Sequence, residues 1–336
     1  MRLGLDIGGT KTDAVAVDAA GRVVDRVRSV TGFGADAVIA TALTGIATIA
    51  ERAGIAPGDF ESIGIGIPGQ VDVATGTVAH AVNLGFDELA VGGRLSSLLG
   101  REVKVENDVK AAALGAYHLL STGAAVPAHS MAYLNLGTGL AAGLVIDGRL
   151  WRGSRGAAGE IGHIPVDPAG VRCPCGQRGC LETVASGSAI ARQWASDDAV
   201  PVLSLLAAAE AGDERAGRIR SLLIDNVAAA VRVLVLTVDV EVVMIGGGLS
   251  ALGERLLGEV QRVLASWAVE SPFLASLELE SRVQLVPAGF PAAAVGAALV
   301  GAPTARRDEG ETPSDEIDNG AGSSRLEREG VTTWLK

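Results

Sequence analysis

The pattern of apolar and polar positions alternates along the chain between short apolar runs and segments with apolar residues at helical spacing. Short runs followed by glycine predict buried strands, and spacings of three or four residues predict helices. The first half of the chain gives strands at 3–9, 14–18, 22–28, 62–67 and 103–106 and helices at 35–53, 94–99 and 110–120. This order predicts an α/β fold that begins with an antiparallel meander.

The opening pattern returns in the second half of the chain. Residues 132–139 match residues 3–10 in form, and in both places a second strand, a turn and a third strand follow. A repeat of a whole domain core predicts two similar domains that face each other across a cleft. Helices across 187–235 and at 252–267, strands at 240–245 and 283–286, and a last alanine-rich helix at 292–300 complete the pattern.

Length and charge limit the classes of function. The chain has 336 residues, enough for two domains, and a formal net charge of −11, which argues against a nucleic-acid partner. Charged residues interrupt the apolar run 227–248, and no signal peptide precedes the first strand, so we expect a cytoplasmic protein with no membrane partner. Residues 303–336 are rich in charge, Ser, Gly and Pro, and we expect a disordered tail there.

All three cysteines of the chain lie close together, and a histidine precedes them. Cys173, Cys175 and Cys180 fall within eight residues, and His163 lies ten residues before the first of them. Three thiolates and one imidazole form the tetrahedral donor set of structural Zn²⁺. The alternative is three buried cysteines without a metal, whereas a disulfide would leave an odd thiol. We expect a structural zinc ion that fixes the surrounding loop.

Three glycine turns follow predicted strands. Glycine lets backbone N–H groups approach phosphate oxygens closely, although none of the turns has the P-loop or Gly-x-Gly-x-x-Gly spacing. Asp6 precedes the first turn, and a buried carboxylate there suits Mg²⁺ held through water and nucleotide phosphates, or backbone N–H groups as the alternative. The candidate cofactor residues are Asp6, Gly8, Gly9, Thr10, Lys11, Thr12, Gly137, Thr138, Gly139, Gly246, Gly247 and Gly248.

Asp108 stands with Asn107 between a predicted strand and a predicted helix. Phosphoryl transfer to an alcohol needs a carboxylate near the attacking hydroxyl, so we interpret Asp108 as the general base. The alternative role of Asp108 is a helix N-cap. Asn107, Glu160, His163 and Glu182 add polar groups that suit the several hydroxyls of a small neutral ligand, which indicates a sugar.

Together these motifs resemble those of the ROK family (repressors, open reading frames and kinases) in the actin-like ATPase and sugar kinase superfamily. The resemblance covers about residues 3–300. The motifs that carry it are Asp6-Ile-Gly-Gly-Thr-Lys11, Gly66-Ile-Pro-Gly69, Asn107-Asp108, Gly137-Thr-Gly139, Gly159-Glu160-Ile-Gly-His163 and Cys173-x-Cys175-Gly-x-x-Gly-Cys180-x-Glu182.

The resemblance implies an actin-like ATPase (ribonuclease H-like) fold with ATP and Mg²⁺ in the cleft. It implies domains at 1–118 and 119–290, a zinc-binding loop at 160–182 and a last helix at 291–301 that packs back on the first domain. Asp108 would deprotonate a sugar hydroxyl, usually the 6-hydroxyl, and homodimers or homotetramers are usual. The implied sugar ligands are Gly69, Asn83, Asn107, Asp108, Glu160, His163 and Glu182, and the implied zinc ligands are His163, Cys173, Cys175 and Cys180.

We therefore expect an ATP-dependent hexose kinase, with glucose as the first candidate and N-acetylglucosamine or N-acetylmannosamine next. One alternative is a ROK-type sugar-sensing regulator without kinase activity, which the intact Asp108 and a chain that begins at the first strand both disfavour. Another is an actin- or chaperone-type ATPase without a sugar.

One departure from the family concerns the two residues after Asp108. The family often reads Ala-Asn there, whereas this chain has Val109 and Lys110. A Glu common further along the same helix is also replaced, near Ala116 and Tyr117. Neither position is among the expected ligands, so the proposed base is unaffected, but both departures weaken any transfer of sugar preference from the family.

Overall fold

The computed structural model describes residues 1–122, 125–198 and 200–301, so the expected tail at 303–336 lies outside the described residues. The first half contains β1 (Arg2–Ile7), β2 (Lys11–Val17), β3 (Val23–Val30), α1 (Ala35–Ala53), β4 (Ser62–Ile67), β5 (Gln70–Asp72), β6 (Thr77–Ala81), β7 (Phe86–Leu89), α2 (Val91–Leu99), β8 (Val103–Asn107) and α3 (Asp108–Thr122). The second half contains β9 (Ser130–Leu136), β10 (Leu140–Ile146), β11 (Arg149–Trp151), α4 (Gly187–Gln193), α5 (Pro201–Glu210), α6 (Glu214–Val238), β12 (Val242–Gly246), α7 (Glu254–Glu270), α8 (Pro272–Ala275), β13 (Val283–Leu285) and α9 (Ala292–Val300).

The predicted repeat is confirmed by two five-stranded sheets with the same topology. Their strand orders are β3-β2-β1-β4-β8 and β11-β10-β9-β12-β13. In each sheet the first three strands of the chain pair antiparallel and the next two are parallel. The turn between the first two strands is one residue longer in the first sheet. There β1 and β2 pair last at Ile7 and Thr12, whereas β9 and β10 pair last at Leu136 and Leu140.

The strands and helices predicted in the first half are present, with one addition. Gly54 ends α1 in the left-handed conformation, as its position predicted. The small antiparallel sheet β5-β6-β7 was not predicted. Its strands have only three to five residues, which is too short for an apolar pattern to stand out.

Helices cover the outer face of each five-stranded sheet. In the first, α1 and α2 pack on alternating side chains such as Leu5, Ile7 and Ile65. In the second, α6 supplies Val227 and Val231 to the core. By length and composition alone α6 could cross a membrane, whereas we expected no segment of the chain to be apolar enough for a transmembrane helix. Its apolar side chains are used in this core, so we assign it as a core helix.

The inner face of the first sheet receives two helices at very short range. Glycines at positions 4 and 64 let α9 rest directly on β1 and β4, since a Cβ at Gly64 would lie 1.9 Å from the carbonyl oxygen of Ala297. Likewise a Cβ at Gly296 of α9 would lie 1.7 Å from the carbonyl oxygen of Ala111 in α3. Such contacts tolerate no side chain.

The division of the chain near residue 118 stays a prediction, because all described residues belong to one compact unit.

We predict that Gly64→Ala destabilises the protein by about 3 kcal/mol or more, because the new methyl group overlaps the α9 backbone. Gly258→Ala in α7 is the matched control, since a Cβ there meets nothing within 4 Å. It should stabilise the protein by about 0.5–1 kcal/mol through the better helix propensity of alanine. Denaturant unfolding measures both changes. Equal stability of the two variants would contradict the packing of α9 described above.

Candidate active site

Asn107 and Asp108 take different roles where β8 joins α3. The Asn107 Oδ1 atom accepts hydrogen bonds from the backbone N–H groups of Val109 and Lys110, at 3.1 and 3.2 Å. Its Nδ2 donates to the carbonyl oxygen of Gly69 at 3.2 Å. Asn107 is therefore the N-cap of α3. The Asp108 carboxylate accepts from the backbone N–H of Val109 at 2.9 Å and from its own backbone N–H, whereas Asn107 caps the first turn of the helix.

Asp6 and Asp108 face one cavity of about 460 Å³ between the two sheets, together with Tyr133 and the turn at 246–248. Gly66 lies between Asp6 and Asp108. It pairs with Asp6 across β1 and β4, and a Cβ on it would lie 3.2 Å from the Cβ of Ala111 and 3.5 Å from the Cα of Asp108. The start of α3 thus rests on β4 beside Asp6.

The two carboxyl groups disfavour each other's charge. Burial raises the pKa of Asp6 to about 7, and the negative charges of Asp108 and Asp13 act in the same direction. Burial also raises the pKa of Asp108, where Glu160 adds repulsion and Lys110 opposes the shift. No hydrogen bond from the described residues contributes to the shift at Asp6. The alternative of a carboxylate satisfied by backbone N–H groups is therefore not observed, and an oxygen donor open to the cavity fits a hydrated Mg²⁺.

Asp13 shows the opposite behaviour on the neighbouring strand. It pairs with Asp6 on one side and with Arg28 on the other, so the three residues form one row across the sheet. Burial of Asp13 favours its neutral form, but hydrogen bonds from Arg26 and Arg28 outweigh this and lower the pKa. The charge of Asp13 is thus neutralised by ion pairs with Arg26 and Arg28, whereas the carboxyl group of Asp6 contacts no cation among the described residues.

A second and larger cavity, of about 1200 Å³, lies beside the first. It contains four of the predicted sugar ligands, Gly69, Asn107, Glu160 and His163. Asp108 lines the first cavity, whereas Asn107 and Lys110, on either side of it in the chain, line the second.

Asn83 and Glu182 are not among the residues that line this larger cavity. Glu182 Oε2 accepts a hydrogen bond from the backbone of Leu140 at 3.0 Å and lies against Gly139. A Cβ on Gly9 would lie 3.2 Å from the Cβ of Asn83. In this structure Glu182 thus contacts the second glycine turn and Asn83 the first, and their role as sugar ligands stays a prediction.

The first two glycine turns have related geometries. Gly8 N–H donates to the carbonyl oxygen of Lys11, and Gly137 N–H to that of Gly139, both at 3.0 Å. Gly9, Thr10 and Lys11 are exposed, as is Thr138.

Thr12 is a correction to the predicted phosphate site. Alternation along β2 turns its side chain inward, where its Oγ1 shares a hydrogen bond of 2.8 Å with Thr31 and it is 1 % exposed. This hydroxyl is therefore not available to a phosphate.

The third glycine turn packs on β9. A Cβ on Gly246 would lie 2.4 Å from the ring of Tyr133, and one on Gly247 would lie 2.6 Å from the backbone of Leu136. These glycines therefore have a packing role in addition to any contact with phosphate.

The four predicted zinc ligands converge, and their donor atoms all lie within 4.8 Å of one another. Cys175 Sγ and Cys180 Sγ are 3.7 Å apart, and His163 Nδ1 is 3.8 Å from Cys173 Sγ. Tetrahedral Zn–S bonds of about 2.3 Å place two sulfur atoms about 3.8 Å apart, so the cluster has the spacing of a zinc site. Hydrogen bonds from Gln177 lower the pKa of Cys175 to about 6, which favours its thiolate, whereas burial raises the pKa of Cys173 and of Cys180.

Comparison with known proteins identifies the family. The model of the ROK family matches residues 2–301. The chain belongs to the ROK family. This ROK protein is 33 % identical to a glucokinase of Halalkalibacterium halodurans over 80 % of its own chain and 86 % of the relative. It is 30 % identical to an N-acetylmannosamine kinase of Yersinia pseudotuberculosis over 79 % and 87 % of the two chains.

A solved structure supports the fold assignment. A ROK family glucokinase from Streptomyces griseus, in complex with glucose and AMPPNP, is 31 % identical and superimposes with a TM-score of 0.73, covering 89 % of this chain and 98 % of that one. The ROK protein has the actin-like ATPase (ribonuclease H-like) fold, with two similar domains around a cleft.

Sequence reasoning missed the charged residues of the larger cavity other than Glu160 and His163, among them Glu106, Lys110 and Arg152. Glu106, only 1 % exposed, accepts from Arg152 Nε at 2.7 Å, and Lys110 opens into the same cavity. Glu106 and Arg152 lie 46 residues apart, so no local pattern links them. Lys110 was visible as a departure from the usual family pattern, and a lysine in the first helical turn is itself a signal because it opposes the helix dipole.

We predict that Asp6→Asn stabilises the ligand-free protein at pH 8 by several degrees and much less at pH 5. The pKa of Asp6 is about 7 in the folded protein and 3.8 in the reference state, so the native state binds the extra proton. The contribution of Asp6 to stability is complete below pH 3.8 and is lost as the pH rises to 7. The asparagine variant has no carboxyl group at this position, so it does not lose this stability as the pH rises.

Thermal unfolding of both proteins at the two pH values, without nucleotide, measures this difference. Asp87→Asn, which removes an exposed carboxylate, is the control and should give no pH-dependent difference. If the stabilisation by Asp6→Asn were equal at both pH values, the raised pKa of Asp6 would be wrong.

Proposed function

We propose that this ROK protein is an ATP-dependent hexose kinase that transfers the γ-phosphate of ATP to the 6-hydroxyl of a hexose. The observation that carries the proposal is the carboxylate of Asp108 in the smaller cavity, directly after Asn107, which caps the helix and lines the larger cavity. The names of the relatives support glucose as the first candidate acceptor and N-acetylmannosamine as the next, and N-acetylglucosamine stays a candidate from the resemblance of the motifs.

In the proposed reaction the sugar lies in the larger cavity, oriented by Asn107, Glu160 and His163. As the hydroxyl oxygen forms its bond to the γ-phosphorus, its proton passes to Asp108, and the bond between that phosphorus and the oxygen bridging to the β-phosphate breaks. The products are a sugar phosphate and ADP. The raised pKa of Asp108 makes it a better proton acceptor than an exposed carboxylate would be.

The nucleotide is proposed to lie along the glycine turns, with its phosphates near the exposed residues Gly9, Thr10 and Lys11. Asp6 would hold Mg²⁺ through water, and such an ion would neutralise charge on the phosphates. Without it, the two carboxylates of the smaller cavity would repel the phosphates. We also expect the protein to be cytoplasmic, to act as a homodimer or homotetramer, and to bind no nucleic acid.

We further propose that His163, Cys173, Cys175 and Cys180 bind one structural Zn²⁺. The support is a closed four-donor set with tetrahedral spacing and the position of His163 in both the cluster and the sugar cavity. One ring nitrogen faces the thiols, which leaves the other for a sugar hydroxyl. The metal would thereby fix the orientation of a sugar ligand.

We predict that Asp108→Asn lowers turnover by about 10²- to 10⁴-fold, because the amide cannot accept the hydroxyl proton. A coupled ADP-release assay with ATP and Mg²⁺ measures turnover on glucose, mannose, N-acetylglucosamine, N-acetylmannosamine, glucosamine and fructose. Sugar affinity measured by calorimetry should change little, since the side chains have the same shape.

The exposed variant Asp87→Asn is the matched control and should keep full activity. Near-normal turnover by Asp108→Asn would show that another group is the base. Sugar binding without turnover on any sugar of the panel would indicate a sugar sensor instead.

We predict that the purified protein holds about one zinc ion per chain, and that chelation or Cys175→Ser lowers both the melting temperature and the sugar affinity. Metal analysis, thermal unfolding and calorimetry measure the three quantities, and zinc added back to the chelated protein should restore them. A sample shown to be free of zinc that still binds sugar with unchanged affinity would separate the metal from the sugar site.

A further inference from the structure

Lys110 is a buried cation in the proposed acceptor cavity. Its backbone N–H is fixed by the Asn107 cap, and its side chain is 7 % exposed. A buried lysine is costly unless its charge is paired, and a cation in the first turn of a helix also opposes the helix dipole. Neither local structure nor packing of α3 explains a lysine here.

The partner of Lys110 among the described residues is Glu160. The Lys110 Nζ and Glu160 Oε1 atoms are 3.9 Å apart, which is an ion-pair distance but too long for a hydrogen bond. The other charged pair of this cavity is already closed, because Arg152 binds Glu106 Oε2 at 2.6–2.7 Å. Lys110 and Glu160 thus form an open pair, in which no direct hydrogen bond joins the two charged groups, beside the hydrogen-bonded pair of Arg152 and Glu106.

The spacing of the open pair suits one sugar hydroxyl. An oxygen atom can lie about 2.8 Å from both atoms when they are 3.9 Å apart, since a hydrogen bond to each has that length. An ammonium group only donates and a carboxylate only accepts, whereas a hydroxyl does both. Resting on the function proposed above, we propose that Lys110 and Glu160 together bind one hydroxyl of the acceptor sugar, Lys110 donating to it and Glu160 accepting from it.

This pair selects for a neutral hydroxyl at one carbon of the sugar. In a deoxy sugar, a hydrogen atom replaces this hydroxyl and leaves Lys110 and Glu160 without their hydrogen bonds to the ligand. In an amino sugar, an ammonium group in its place is repelled by the positive charge of Lys110. Lys110 is therefore a specificity-determining residue, which makes an unmodified hexose the better fit at that carbon.

The test compares the calorimetric affinities for glucose and for 1-, 2-, 3- and 4-deoxyglucose in the full-length, metal-containing wild type and in Lys110→Met. Methionine has a similar length but cannot donate. We expect one deoxy sugar to bind the wild type about 10- to 100-fold more weakly than glucose, because hydrogen bonds to charged groups are lost. In Lys110→Met this ratio should fall to near one, while the ratios for the other three deoxy sugars stay unchanged.

Lys104→Met removes an exposed lysine that pairs with Glu102 and is the matched control, with all four ratios expected to stay at their wild-type values. Glu160→Gln should reduce the ratio for the same deoxy sugar as Lys110→Met. If Lys110→Met weakens all five sugars by the same factor, or changes none of the ratios, the inference is wrong while the kinase function stands. If the wild type binds none of the sugars and phosphorylates none, both proposals fail.

Discussion

The close approach of α3 and α9 to the inner face of the first sheet is the constraint on which the site depends. Gly64 and Gly296 remove the side chains that would hold these backbones apart. Gly66 lies where α3 begins, between Asp6 and Asp108. A shift of α3 by the width of one methyl group would displace the proposed base, and misplacement of about 1 Å can cost catalysis about 10²-fold.

The same packing concentrates negative charge where it opposes folding. Burial raises the pKa of Asp6 and of Asp108, whereas Arg26 and Arg28 neutralise Asp13 one strand away. The sheet therefore satisfies one carboxylate of a cross-strand row and leaves its neighbour without a cation. Groups held in an unfavourable charge state within a cleft are typical of functional sites. Here they are suited to a hydrated cation and to a proton from an alcohol.

Charged pairs between distant parts of the chain define the acceptor cavity. Glu106 on β8 binds Arg152 beyond β11, and Lys110 on α3 faces Glu160 beside the zinc-binding residues. Both pairs join a residue near the end of the first half of the chain to one in the second half. The cavity is therefore complete only where the two halves of the chain meet, and the proposed zinc site shares His163 with it.

The sequence alone determined the features that depend on local patterns. These were the α/β class, the repeated sheet, the zinc donor set and the strand-to-helix junction at Asp108, because periodicity, spacing and turn residues act over a few positions. Only the tertiary structure decided which polar side chains meet. It turned Thr12 inward, held Asn83 and Glu182 at the glycine turns and brought Lys110 into the larger cavity. The reason is that burial, side-chain direction and partners far along the chain depend on how all the elements pack together.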